Sequence, residues 1–485
     1  MQPTTSKSEE DKEIRVSLSY RLPSDPLKIV SMSDYDIALL LSKNWFEYDS
    51  ARKAIPGIIE TWRFDDKKGE YNFKINKNAK WSDGSEITAN DLLANIKRAK
   101  ALKTSYGDSI DSLIEISNIK IISSNEFVVP TKNKKPSEAF FQRMGSIFLA
   151  ITSPKDWDSN QNLVTNRLSS GPYFINKIHP DGTFELEKNK FYFDFNNVQP
   201  RKVLIRKSTT LVNLNEFVKA KTWENIVQIT SLVNPEIVEQ FKKNKLPIWT
   251  RGHDRVSLLR PLNGSNILSN IETLKAISKF KLAVKDNVLP FNSKVAWSLQ
   301  PFGYPLHYED RSNRMNSKII NNRTNVVSIV APNSIATQFQ INILEELFLK
   351  LNVKIKWSFL DKSEFIGQLT SENKYDFALF DFGVADPEAV TWCSLVFDMK
   401  FVFYRESDYS DFLKVIKNNS DNEKTVKDLK VILKKMQDNG YYLPLFHFST
   451  LSVGFKNLSF ENIKDLDETV DYSKIKFFNF VKSEW

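Results

Sequence analysis

The stretch from Ile55 to Lys100, IPGIIETWRFDDKKGEYNFKINKNAKWSDGSEITANDLLANIKRAK, constrains the fold more than any other part of the chain. Trp62 and Phe64 alternate with charged residues, Asp65 to Gly69 form a polar turn, and Tyr71, Phe73 and Ile75 alternate with Asn72, Lys74 and Asn76. This period of two predicts a hairpin with one buried face per strand. In Trp81-Ser82-Asp83-Gly84 an aromatic anchor meets turn chemistry, because Asp hydrogen-bonds nearby backbone and Gly accepts a positive φ. Thr88 stands three residues before Asp91 as an approximate capping box. Leu92, Leu93, Ile96 and Ala99 follow at helical spacing, with Lys97, Arg98 and Lys100 near the end that favours cations. The helix is predicted to start at Thr88 or just after it. Two strands, a turn and a helix make a scaffold, and the aromatics are read as core.

The rest of the chain extends this pattern. Ile14 to Tyr20 alternates as a strand, a loop with Pro23, Asp25 and Pro26 follows, and a helix is predicted from about Asp34 to Phe46. Ile119–Ile122 and Glu126–Val129 read as further strands, and Gly171-Pro172 is a turn device. Asn325 to Phe382 alternates strands (Val326–Val330, Val353–Phe359, Tyr375–Phe382) with helices bearing Ile341, Leu344, Leu347, Phe348 and Leu351, then Phe365, Ile366 and Leu369. A β-α-β-α-β order predicts a parallel sheet covered by helices, with right-handed crossovers.

At 485 residues the chain exceeds one ordinary core and predicts two or three domains. The net charge of +9 is scattered, and no zinc-finger, RNP or basic-zipper pattern accompanies it, so nucleic acid is not an expected partner. Cys393 is the single cysteine, which excludes an internal disulfide and a Cys-based zinc site. No apolar run approaches the 18 residues of a membrane span, and residues 1–12 read as a polar tether with no apolar signal core.

Catalytic patterns are missing from the sequence. There is no G-x-S-x-G, H-E-x-x-H, P-loop or G-x-G-x-x-G, and 14 glycines leave few places to cradle phosphate. His179, His253, His307 and His447 are widely separated, with no i, i+4 spacing for a metal. Asp65-Asp66 falls in a turn and is read as solvated. No enzyme, metal or cofactor is expected.

Read in order, Pro56, Glu60-Thr61-Trp62, Lys80-Trp81-Ser82-Asp83-Gly84, Ile87-Thr88-Ala89, Asp91-Leu92, Asn95 and Arg98 closely resemble the peptide and nickel class (family 5) of extracytoplasmic solute-binding proteins of ABC importers. Three further landmarks agree. Ser169-Ser170-Gly171-Pro172-Tyr173-Phe174 matches a Gly-Thr-Gly-Pro-Tyr run with serines in its first positions. Arg255–Pro261 stands where the family crosses between lobes, and Tyr441–His447 resembles its return strand. Ile271–Ser278 keeps the place of a family helix but departs from its usual residues.

The resemblance implies a two-lobed α/β fold of the periplasmic-binding-protein type (type II), with an extra small α+β subdomain in the first lobe. The expected division is a tether at 1–12, lobe I over 13–258 with the subdomain at about 48–168, lobe II over 259–448, and a return to lobe I over 449–485. It implies a monomeric receptor outside the cytoplasmic membrane, periplasmic or lipid-anchored after a leader, that hands a peptide to an import permease. The class also accepts nickel chelates, haem and oligosaccharides, and a sensor or surface lipoprotein of the same fold is an alternative.

The resemblance also places the ligand contacts. Ser31, Ser33, Asp34 and Tyr35 occupy the loop and helix start that approach the ligand from the first lobe. In the second lobe, Phe380-Asp381-Phe382-Gly383-Val384-Ala385-Asp386-Pro387 follows a strand, where ligands collect in α/β sheets. Phe382 fits the family's aromatic, and either Asp381 or Asp386 fits the aspartate that pairs with a peptide amine, depending on register. Trp392 completes the candidate set, although it and Phe397 lie on a predicted helix with core character.

Overall fold

The computed structural model describes residues 13–18, 22–29, 32–48, 53–102, 105–197, 201–207, 226–229, 235–243, 248–250, 255–262, 267–278, 293–300, 305–308, 326–332, 335–360, 362–370, 374–383, 389–398, 402–416, 423–449 and 451–454. The tether, Tyr20, Ser31, His253, Asp386 and the segment from Phe455 lie outside these.

The hairpin forms as Ile59–Asp65 against Glu70–Ile75, with Trp62 opposite Phe73 and Phe64 opposite Tyr71. Glu126–Pro130 and Lys120–Ile121 complete an antiparallel four-stranded sheet. Its buried face is aromatic: Tyr71 stacks on Phe140 at 5.6 Å, and Trp45 meets Phe127 edge-on at 5.7 Å. Such pairs add to the hydrophobic gain of burial. Thr88 caps the helix Ala89–Ala101 in the predicted box, its N–H donating to Asp91 Oδ2 at 2.8 Å while Asp91 N–H reaches Thr88 Oγ1 at 3.4 Å. Gly84 takes φ +89° and donates its N–H to the Trp81 carbonyl at 2.9 Å, the turn that Trp81–Gly84 predicts.

Two distant landmarks of the sequence meet here. Ser82 N–H donates to the Ser169 carbonyl at 2.9 Å, and Ser169 N–H donates to Ser82 Oγ at 3.1 Å. Gly171 N–H then reaches the Leu41 carbonyl at 3.2 Å. The small sheet is thereby tied to the element that begins the next sheet, Tyr173–Ile178.

The second sheet, seven-stranded among the described residues, runs in the order Ile248–Thr250, Leu451–Gly454, Ile226–Ile229, Glu13–Leu18, Lys202–Lys207, Phe184–Lys188, Tyr173–Ile178. Glu13–Leu18 is parallel to both of its neighbours, and the other pairs are antiparallel. The helix predicted from about Asp34 to Phe46 is instead Met32–Leu41, and Phe46 opens the strand Phe46–Tyr48. Extended pairing wins there: Phe46 lies opposite Pro56, and the carbonyls of Asn44 and Trp45 accept from the N–H groups of Ile58 and Ile59.

The third sheet orders Ser293–Val295, Leu443–Phe448, Arg255–Pro261, Phe377–Gly383, Val326–Pro332, Lys354–Leu360. The last three strands are mutually parallel where they pair, and helices Ile335–Leu349 and Lys362–Thr370 connect them as the β-α-β-α-β pattern requires. Alternation splits its side chains between two apolar cores. Val256, Leu258, Phe380 and Phe382 pack with Trp392 and Phe397 on one face, and Leu259, Ile329 and Leu379 pack with Leu344 and Phe348 on the other.

Thr250 pairs with Leu451 in the seven-stranded sheet, and Arg255 pairs with Phe448 in the six-stranded one. The chain therefore passes between the two sheets twice, and the strand ends that flank one passage pair with those that flank the other. All of Arg255–Pro261 belongs to the six-stranded sheet, so the first passage falls ahead of Arg255.

Candidate functional site

In a sheet of parallel strands, ligands collect at the carboxyl edge. Here that edge is marked by Gly383, which lies opposite Arg255, itself opposite Phe448. The strand ends that flank the double passage and the strand that leads into the candidate ligand loop thus share one edge.

Asp381 and Phe382 are successive strand residues and point to opposite faces. Asp381 lies opposite Ser257. The Gln340 amide, from helix Ile335–Leu349, donates to Asp381 Oδ1 at 2.8 Å and to Ser257 Oγ at 2.6 Å. Burial pushes the Asp381 carboxyl pKa up, against the charge of Arg255 and the hydrogen bonds from Gln340 and Ser257. The Arg255 guanidinium lies 5.5 Å above the Phe448 ring, an added tie between the two strands that carry the passages. This carboxyl group is engaged by its own fold.

Phe382 lies on the other face, where it stacks on Trp392 at 6.1 Å and 25° and lies 6.2 Å from Phe380. Trp392 is 1% exposed and Phe382 6%, so both rings lie within the core beneath the strand end. In the first lobe, Ser33, Asp34 and Tyr35 occupy the first turn of Met32–Leu41. Asp34 is buried and its carbonyl accepts from Ser24 Oγ at 3.3 Å, while Tyr35 is half-buried with its ring edge-on to Phe148 at 6.4 Å.

The histidines divide. His179 pairs with Glu185 at 2.7 Å, whereas His307 and His447 both converge on Ser298, through its Oγ at 3.2 Å and its carbonyl at 2.8 Å. Among the described residues no group of three His, Cys, Asp or Glu side chains is placed to hold a metal.

Arg255, Ser257 and Gln340 were not among the residues singled out from sequence. One signal was available for Gln340: it sits four positions before Leu344 and seven before Leu347, a polar residue on an apolar helical stripe. Ser257 likewise interrupts a strand whose other members are mostly apolar.

The model of the family described as "Bacterial extracellular solute-binding proteins, family 5 Middle" matches residues 53–280. The Escherichia coli periplasmic oligopeptide-binding protein OppA is 23% identical over 311 residues, covering 59% of this chain and 55% of that protein. A probable peptide ABC transporter periplasmic-binding protein of Sinorhizobium fredii is 26% identical over 192 residues, covering 38% of this chain and 34% of the relative. The chain thus matches between about a third and just over half of the length of these two relatives. Among solved structures, the Escherichia coli murein tripeptide binding protein MppA superposes with a TM-score of 0.75 at 13% identity, over 92% of this chain and 94% of that one. Haemophilus influenzae OppA in complex with the peptide RPPGFSPFR gives 0.73 at 14% identity, over 95% and 98%. These superpositions show a shared two-lobed α/β fold.

Proposed function

We propose that this chain is a family 5 extracellular solute-binding protein that encloses a short peptide between its two lobes and delivers it to an ABC import permease. The observation that carries the reading is that the strand ends flanking the two passages, 250 to 255 and 448 to 451, pair with each other, Arg255 with Phe448 at the carboxyl edge of the six-stranded sheet and Thr250 with Leu451 in the seven-stranded one. Two neighbouring connections between the lobes allow one lobe to swing against the other while little else changes. Ligand that contacts both lobes then favours the closed state, and closure is a population shift. The lobe boundary is placed at these two passages, with the four-stranded sheet as the subdomain of the first lobe.

Within this reading Asp386 is the amine-pairing carboxylate, because Asp381 is already engaged by Gln340 and Arg255 sits beside it. A buried ammonium needs such a partner to offset its desolvation. Phe382 and Trp392, both buried in the core, support the loop that carries Asp386 from behind, and the start of helix Met32–Leu41 with Ser33, Asp34 and Tyr35 supplies the first-lobe side. The mode is binding without turnover. The peptide names of the relatives favour peptide over nickel chelate, haem or oligosaccharide. Among the described residues no helix is long and apolar enough to cross a membrane. The receptor is read as a monomer outside the cytoplasmic membrane, held there by a lipid anchor where one is attached, and a neighbouring permease gene separates importer from sensor.

Native mass spectrometry of the purified protein, followed by denaturation, tests the proposal. A mixture of short peptides released on unfolding is the expected result. A uniform non-peptide mass overturns the substrate class, and conversion of the bound molecule overturns the assignment as a receptor.

A further inference from the structure

Arg260 lies on the same strand as Arg255 but near its other end, opposite Ala378. Five residues of strand set it about 17 Å from the edge that carries the proposed peptide site. Alternation turns it to the face of Val256 and Leu258, whose apolar cluster includes Phe365, Leu369 and Phe380.

The side chain is 4% exposed. Nη2 donates to the Leu369 carbonyl at 2.8 Å, in the last turn of helix Lys362–Thr370, while Nε and Nη1 are buried and meet no acceptor among the described residues. Burial brings its pKa down to about 10, with the nearby Tyr404 phenol acting in the opposite direction, so the group remains a cation at neutral pH. Among the described residues no carboxylate forms an ion pair with it. A helix C-terminus offers only a fraction of a negative charge. A guanidinium held in this way is both desolvated and short of acceptors, which the interior tolerates poorly.

We propose that Arg260 holds a small inorganic anion of the halide class inside the second lobe, at a site separate from the peptide cleft. Nε–H and Nη1–H donate to it, and the Leu369 carbonyl remains on Nη2. A monatomic anion suits the place because both free N–H groups belong to one guanidinium that is 4% exposed, which leaves little room for a larger oxyanion. Occupation neutralises the buried charge and stabilises the lobe without contacting the transported solute.

Thermal unfolding of the full chain tests this, with sodium chloride exchanged for sodium gluconate at constant ionic strength. Chloride is expected to raise the wild-type Tm saturably, on the order of 2–4 °C. Arg260→Met is expected to lose that dependence and, freed of an unpaired buried cation, to match or exceed the wild type in gluconate. Bromide soaked into wild-type crystals should give an anomalous peak within hydrogen-bond distance of Arg260, a readout that needs no variant to fold. Equal wild-type Tm in the two salts, or bromide density elsewhere and none at Arg260, overturns the proposal.

Discussion

Arg98 grips Asp25 in a buried two-pronged ion pair, with Nη1 3.1 Å from Oδ1 and Nη2 2.6 Å from Oδ2. The pair ties the capped helix Ala89–Ala101 to the proline-containing loop after the first strand. Arg98 is further held by the Gln161 carbonyl, 2.7 Å from Nε, and by Trp157, whose ring centroid lies 5.0 Å from the guanidinium carbon. Removing one member of a buried pair strands the other. Arg98→Met is therefore expected to lower stability by about 3–5 kcal/mol. Arg98→Lys should recover only part of this, because an ammonium cannot reproduce the fork. Urea midpoints of the three proteins measure it, and a wild-type midpoint for Arg98→Met would show that the pair contributes nothing.

Gly171 is fixed by close approach. A Cβ there would meet the Leu40 carbonyl oxygen and the Ser42 nitrogen at 2.7 Å each, and backbone at the end of a helix has little room to give. Gly171→Ala is expected to cost about 1–3 kcal/mol, as overpacking does. A Tm equal to wild type would mean that the helix end moves freely.

Asp381 gives the second lobe a pH dependence. Its folded pKa is raised above 3.8 by burial, so between 3.8 and the raised value the folded chain holds more proton than the unfolded one. Its contribution to stability accordingly falls as pH rises through that window. Asp381→Asn should flatten this part of the stability profile, read as urea midpoint against pH from about 4 upward. An unchanged slope in the variant would place the titration elsewhere.

Asp386→Ala separates anchor from ligand contact. On the proposed assignment, losing the carboxylate that pairs with the peptide's ammonium is expected to weaken binding by about 2–5 kcal/mol, or roughly 30-fold and more. Calorimetry with a short peptide recovered from the protein should show that loss, and acetylating the peptide's amine should abolish the difference between variant and wild type. Unchanged affinity in both Asp386→Ala and Asp381→Ala would sink amine capture and leave the receptor reading standing.

Much of the fold was legible because its signals are local. The hairpin, the turn at Gly84 and the cap at Thr88 each rest on residues a few positions apart, and the parallel strands between Val326 and Gly383 follow from apolar period. The misplaced end of helix Met32–Leu41 had the opposite cause. Its continuation to Phe46 satisfies helical spacing, and only the pairing of Phe46 with Pro56 shows why the chain extends instead.

The candidate site was legible as a stretch and not as a geometry. Sequence marked the segment around Asp381 and Phe382, and strand alternation then divided the two residues between faces, one joined to Ser257 and Gln340, the other to Trp392. Trp392 carried core character in the sequence as well as a place near the ligand segment, and its burial fits the former.

The stretch from Ile55 to Lys100 determined by itself a scaffold and the family it resembles, because periodicity, turn chemistry and capping act within a few residues. Tertiary structure decided the partnerships. Arg98 reaches Asp25 across 73 positions, Gln340 reaches Ser257 across 83, and Ser169 meets Ser82 across 87. A buried charge or amide is satisfied by whatever the fold brings within about 3 Å, and no pattern along the chain encodes that neighbour.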